Sequence, residues 1–216
     1  MITPPGAAGR VVFSDSGAGD LKSDAGARHS LSQRAGITSE WATVSQVHGS
    51  EIVRVYAPGV AGEADALWTT EPRLPLAIFT ADCLAVALQA SGAVGIAHAG
   101  WRGAAAGVVS ALRTAMTVEG FEPERAFIGP GIGLCCFEVG PEVVERFPRS
   151  RSQTSWGSIS VDLLGSVRDS LVSVDVWSAN VCTMHEPGWF SHRLDATPSR
   201  QAGITWASAA VSTRAP

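Results

Sequence analysis

The sequence predicts an α+β fold in which mixed β-sheets pack as a sandwich with helices outside. Three observations lead there. Short apolar runs follow one another almost without interruption between residues 51 and 98. Hairpin-like connections such as Ser91-Gly92 favour antiparallel or mixed pairing over repeated βαβ crossovers. A helix rich in small residues then begins near Gly103.

Taken in order, the first strand is Val11–Phe13, and a polar helix spans Asp24–Ala35. Alternating or continuous apolar runs place strands at Glu51–Tyr56, Ala66–Thr69, Leu76–Thr80, Leu84–Gln89 and Val94–His98. The helix over Gly103–Thr117 follows, then a strand at Ala126–Ile128. Pro141 suits the first turn of a helix over Pro141–Phe147. The Ser/Arg-rich segment Arg146 to Ser158 reads as a flexible loop. Asp162 is an N-cap for a helix reaching Val172, and strands at Val174–Trp177 and Ile204–Trp206 complete the set. No internal repeat or linker divides the chain, so residues 1–216 are expected to form one domain.

Composition narrows the function. Hydrophobic residues make up 45% and charged residues 17%, the balance of a soluble protein on the apolar side. Net charge is −4, Lys22 is the only lysine, and the arginines are scattered. Nucleic acid and an anionic membrane surface, which select for a basic stripe, are therefore not expected partners. The apolar stretch from Leu74 to Gly107 is broken by Asp82, Gln89, His98 and Arg102, which argues against a membrane helix. The N-terminus lacks the pattern of a signal peptide. Cys83, Cys135, Cys136 and Cys182 do not make a disulfide framework, so a reducing cytoplasm is expected. Of these, Cys135, Cys136 and Cys182 read as small buried hydrophobes.

Chemistry concentrates in "TADCLAVALQASGAVGIAHAGWRG" (Thr80–Gly103). A hairpin joining its two strands folds the end of the second back beside the start of the first. Cys83 and His98 thereby meet although fifteen residues separate them. His48, in "SQVHGSEIVRV", precedes another strand at a glycine-marked turn. Two imidazoles and a thiolate make a three-ligand set for Zn²⁺ with a fourth position open. The competing reading keeps Cys83 as a nucleophile activated by His98. Arg102 and the helix start after His98 offer an anion site. Asp82 is a candidate proton carrier or an orienting group, with Glu138 and Asp65 as rivals. The Gly-rich "FIGPGIGLCCFEVG", containing Gly131, allows close backbone approach to a ligand but matches no nucleotide-binding fingerprint.

Together, "SQVHGSEIVRV", "ADALWTT", "TADCLAVAL", "VGIAHAGWRGAAAGVV", "FIGPGIGLCCFEVG" and "CTMHEPGWFSHR...SRQAGI" resemble the YfiH-like laccase-domain family in order and spacing. The resemblance covers about residues 41 to 206, and "HAGWRG" and "ADC" are its most specific segments. It implies a mixed α/β sandwich, akin to toxin deamidases with a Cys/His pair, and a single zinc on His48, Cys83 and His98. It also implies phosphate-dependent cleavage of purine nucleosides, including methylthioadenosine, together with adenosine deamination. Expected partners are therefore a purine nucleoside and phosphate, in a monomer or small homo-oligomer. Asp82 and Arg102 are the expected catalytic residues, and Gln46, Arg102, Gly131 and Arg193 the expected substrate contacts.

The family is also described as copper-dependent polyphenol oxidases and as Cys/His hydrolases editing peptidoglycan. A multicopper site needs many histidines arranged largely as HxH and HCH pairs, and five histidines with no HxH cannot build one. A soft His₂Cys site can still capture Cu²⁺. The sequence departs from the family pattern at both ends: "FSDSGAGDLKSDAGARHSLSQRAG" is a shortened version of a longer Asn- and Gly-containing region, and near the C-terminus "TPSRQAG" stands for a usual Thr-Gly-Arg and His192 for an aromatic residue. "IGLCC" also carries Leu134 where proline is common.

Overall fold

The structure is a computed structural model describing residues 1–7 and 10–208. Its elements in order are β1 (Val11–Phe13), α1 (Ala25–Ala35), β2 (Ala42–Ser45), β3 (Ile52–Arg54), β4 (Gly59–Glu63), β5 (Ala66–Thr69), β6 (Leu76–Thr80), β7 (Leu84–Ala90) and β8 (Ala93–Ala99). There follow α2 (Trp101–Ala105), α3 (Val108–Val118), β9 (Arg125–Ile128), α4 (Pro141–Val144), β10 (Arg151–Gln153), β11 (Ile159–Val161), α5 (Leu163–Asp169), β12 (Asp175–Ser178), α6 (His192–Asp195) and β13 (Gln201–Thr205).

Two mixed sheets carry the fold, as the sequence predicts. One has the order β1-β13-β6-β2-β4, the other β12-β9-β7-β8-β5-β3. Both contain parallel and antiparallel pairs. Their facing sides share a core in which Phe13, Leu76 and Ile78 meet Leu67, Ala85, Ile96 and Phe127. At Gly203 the sheets come so close that a Cβ would lie 2.6 Å from that of Ala85. β7 is apolar throughout because both of its faces are covered: Ala85 and Ala87 face the other sheet, while Leu84, Val86 and Leu88 face the helices. α3 lays Leu112 and Met116 into the space that Gly95 of β8 leaves open. On the far side of the five-stranded sheet, α1 buries Leu31 against Trp41, Phe79 and Ile204. Its start is capped by Asp24, which accepts from the amides of Gly26 and Ala27.

Four expectations need correction. The helix expected over Gly103–Thr117 is two helices, because Gly107 adopts φ +80 and interrupts the winding. The loop expected at Arg146 to Ser158 contains β10, which pairs antiparallel with β11 around a turn stabilised by Thr154 and by Gly157 at φ +89. Its polar sequence hides the strand. The last strand starts at Gln201, ahead of the expected Ile204, and is buried along its whole length. β2 and β4 are additional strands, and every residue of β4 is exposed, so no apolar alternation marks it. Among the described residues no helix is long and apolar enough to cross a membrane.

Candidate metal centre

The register of the β7–β8 hairpin builds the centre. Ala85 opposes His98 and Leu84 opposes Ala99, so Cys83 comes opposite Gly100, diagonal to His98 on the same face. Gly100 has ordinary extended backbone angles, φ −72 and ψ 169, and its lack of a side chain is what the site uses. A Cβ there would lie 2.9 Å from Cys83 Sγ and 3.4 Å from His48 Cδ2. At Gly103 a Cβ would meet the Gly49 carbonyl oxygen at 2.9 Å, so the second glycine of "HAGWRG" lets the His48 turn close onto α2.

His48 sits on that turn with φ +63, and its ring meets that of His98 edge-on, centroids 4.8 Å apart. One ligating atom from each of His48, Cys83 and His98 lies within 4.8 Å of the others. His98 is buried, Cys83 half-buried and His48 exposed, so the group closes on the protein side and opens outward.

Asp65 organises these donors. It is fully buried, one residue before β5 and beside His98 of β8. Oδ1 accepts from His98 Nδ1 at 2.8 Å and from the His48 amide at 2.9 Å; Oδ2 accepts from the Gly49 amide at 2.6 Å and the Val47 amide at 3.2 Å. Burial alone would raise the Asp65 carboxyl, but the bonds from His98 and the turn amides hold it below the usual carboxylate range. Occupying Nδ1 of His98 leaves Nε2 as its free donor. For His98, burial works against the charged ring, and the bonds to Asp65 and Cys83 outweigh it, raising the imidazole to about 9 in the metal-free protein. The donor set is one thiol and two imidazoles oriented by a buried carboxylate, which fits a borderline-soft divalent ion.

The triad lies in a cavity of about 540 Å³ whose wall includes Val44, Gln46, Val60, Phe79 and Thr80. Lys22, Arg28, His192 and Arg200 also line it, and among the described residues no acidic one does. These basic groups come from both ends of the chain, and the spacing of motifs gave no sign of Lys22, Arg28 or Arg200. Arg28 is braced by bonds to the carbonyls of Leu21 and Lys22 and lies over Phe79 at 5.2 Å. Arg200 bonds the carbonyls of Thr197 and Ser199, both at 2.8 Å.

The other expected site residues are placed as follows. Gln46 lines the cavity, but its amide is latched to the Phe79 backbone, donating to the carbonyl at 2.8 Å and accepting from the N–H at 2.9 Å. Asp82, with φ +86, accepts from the Thr183 hydroxyl at 2.7 Å and the Arg193 amide at 2.6 Å, away from the triad's cavity wall. Arg193 donates to the Glu138 carbonyl at 2.7 Å, and the Glu138 carboxylate accepts from Trp156. Arg102 stacks on Trp101 at 4.2 Å and lines a separate cavity with Glu142 and Arg146. Gly131 packs against Leu84 and the Asp82 carbonyl and lines a third cavity.

The family model described as multi-copper polyphenol oxidoreductase laccase matches residues 16–208. A Streptomyces griseus protein named purine nucleoside phosphorylase ORF3 is 39% identical over 178 residues, covering 76% of this chain and 72% of its own. A Deinococcus radiodurans protein named purine nucleoside phosphorylase is 37% identical over 180 residues, 78% of this chain and 69% of its own. Among solved structures, the hypothetical protein YfiH of Bacillus licheniformis superposes with a TM-score of 0.79 at 26% identity, over 87% of this chain and 82% of that one. YlmD of Geobacillus stearothermophilus gives 0.77 at 28% identity, over 88% and 82%.

Proposed function

The chain belongs to the multi-copper polyphenol oxidoreductase laccase family, and from that premise we propose that it is a zinc-dependent purine nucleoside phosphorylase. One observation carries the reading: the cavity holding the His48–Cys83–His98 triad is lined by Lys22, Arg28 and Arg200 and, among the described residues, by no carboxylate. Such a wall suits an anionic co-substrate. Relatives named purine nucleoside phosphorylase support the same chemistry.

In phosphorolysis a phosphate oxygen bonds to the anomeric carbon, the glycosidic C–N bond breaks, and the leaving base takes the electron pair and the proton that hydrogen phosphate gives up. Lys22 and Arg200 would hold the phosphate, while Val44, Val60 and Phe79 give the base an apolar wall. His48, Cys83 and His98 would hold zinc, which when bound supplies Lewis acidity toward an oxygen ligand. Asp65 keeps the His98 ring in the tautomer that leaves Nε2 free. Asp82 acts in this scheme as a positioning residue, fixing the segments of Thr183 and Arg193. The same cavity is the proposed place for methylthioadenosine cleavage and adenosine deamination.

The test is to incubate zinc-replete protein with adenosine, with and without phosphate, and to separate the products. Adenine and ribose 1-phosphate are expected only with phosphate, and neither from His98→Ala. Inosine formed without phosphate would move the reading to deamination. No turnover of adenosine, inosine or methylthioadenosine would overturn it. Removing the Lys22 or Arg200 charge by substitution with Met is expected to raise the KM for phosphate about tenfold, a loss of roughly 1.4 kcal/mol, and to change the KM for nucleoside much less.

A second reading, Cys83 as the nucleophile of a hydrolase, is favoured by one observation. Burial alone would raise the Cys83 thiol, yet hydrogen bonds with His48 and then His98 bring it down to about 6 in the metal-free protein. A lowered acid pKa means that the thiolate persists above that value and is lost below it. Iodoacetamide labelling of Cys83 in metal-free protein should therefore be half-maximal near pH 6, and zinc should abolish it. Unchanged labelling with zinc bound would favour the hydrolase.

A further inference from the structure

We propose that Cys135, Cys136 and Cys182 form a second metal site, one that takes a single Cu(I) ion in three-coordinate, all-sulfur ligation. The sequence gives no reason to join these residues, since Cys182 lies far along the chain from the adjacent pair. The fold joins them through the bridge between Gly131 and Cys182, which sets the two segments side by side. All three Sγ atoms lie within 4.8 Å of one another, and those of Cys135 and Cys136 are 3.5 Å apart.

Packing alone does not explain the arrangement. Gly133 stands between the two segments, where a Cβ would lie 3.2 Å from Cys182 Cβ and 3.3 Å from Cys135 Sγ, so a side chain there would crowd the sulfurs. Its amide donates to Cys182 Sγ at 3.2 Å, and N–H donors to sulfur stabilise a thiolate in preference to a thiol. Cys136 and Cys182 are buried, but Cys135 is half-buried and lines a cavity of about 440 Å³, which gives an ion a way in. The same wall carries Arg168 together with the acids Asp162 and Glu186, so it has no excess of positive charge and the sulfurs themselves must select the ion. This cavity shares no lining residue with that of the His48–Cys83–His98 triad.

The choice of ion follows from the donors. Thiolates select Cu(I), zinc and iron–sulfur clusters. Structural zinc is almost always four-coordinate, and among the described residues the group of mutually close donors stops at three sulfurs. Three soft donors without a fourth suit monovalent copper. Binding is coordination without electron transfer: copper enters as Cu(I), sulfur–copper bonds replace sulfur–hydrogen bonds, and the released protons pass to solvent. The inference does not depend on the nucleoside reading.

The test uses full-length protein carrying Cys83→Ser, which removes the thiol of the first site, kept reduced under anaerobic conditions. After loading with Cu(I) and desalting, the expected result is one copper per chain, with sulfur-only coordination by X-ray absorption. Cys135→Ser and, separately, Cys182→Ser in that background are each expected to weaken retention against a chromophoric Cu(I) chelator about 100-fold or more. Circular dichroism identifies any variant that fails to fold, and the half-buried Cys135 provides the substitution that disturbs packing least. No copper bound, copper bound through nitrogen or oxygen, or undiminished retention in a folded Cys135→Ser variant would overturn the proposal. So would displacement of Cu(I) by equimolar Zn(II), which would make this a zinc site.

Discussion

Replacing Asp65 with alanine is expected to destabilise the protein by about 3–5 kcal/mol, the range for removing one partner of a buried charged pair. For a chain of this size the melting temperature should fall by roughly 10 °C or more. The cause is specific. Asp65 accepts from His98 and from three consecutive amides, Val47 to Gly49, so its loss strands one buried ring N–H and three part-buried amides at once. Metal affinity should fall as well, about 10- to 100-fold, because the His48 turn and the His98 ring lose their common anchor. Asp65→Asn keeps the shape but brings an amide nitrogen against donors, and should recover part of the stability without restoring affinity. Thermal melts and zinc competition check both effects. Full metal affinity in folded Asp65→Ala would show that something else orients the imidazoles.

The second large effect is expected at Gly100. Its backbone is already in a region open to any residue, so Gly100→Ala incurs no conformational penalty and acts only through the added methyl group. That group would sit 2.9 Å from Cys83 Sγ, closer than real Cβ contacts allow, and against the His48 ring. Cys83 must move away from His98, or the strand ends must part. A loss of about 10- to 100-fold in metal affinity is expected, with a stability cost of about 1–3 kcal/mol from overpacking. Zinc competition and denaturant titration on one preparation separate the two. Unchanged affinity would mean that Cys83 has room the register does not suggest.

These effects explain why part of the site is legible in the sequence. Cys83 and His98 belong to one hairpin, and a hairpin's register follows from local alternation and a two-residue turn, so their meeting is a short-range fact. Asp65 is harder to read: it precedes a strand paired from a distance, and a lone acid before an apolar run looks like an exposed strand end. Lys22, Arg28 and Arg200 are harder still, because the cavity they line exists only once residues from both ends of the chain meet. The same logic applies to the strands. β7 and β8 declare themselves by continuous burial, whereas β4 and β10 are polar or exposed and carry no periodicity to find. Arg102 follows a helix start that suggests an anion site; its guanidinium lies over the Trp101 ring and lines a cavity other than that of the triad.

The topology of the five-stranded sheet bears on the order in which a newly made chain becomes competent. β1 has β13 as its strand partner, and β13 also completes the edge of β6. As the polypeptide leaves the ribosome, β1 must therefore wait for residues 201–205, which emerge after every other described strand. The six-stranded sheet needs nothing beyond Ser178. Cys83, just before β7, and His98, on β8, can thus be set while translation continues, whereas Arg200 arrives with the strand that closes the other sheet. Under the zinc scheme proposed above, Cys83 and His98 would be in place before the basic wall is complete.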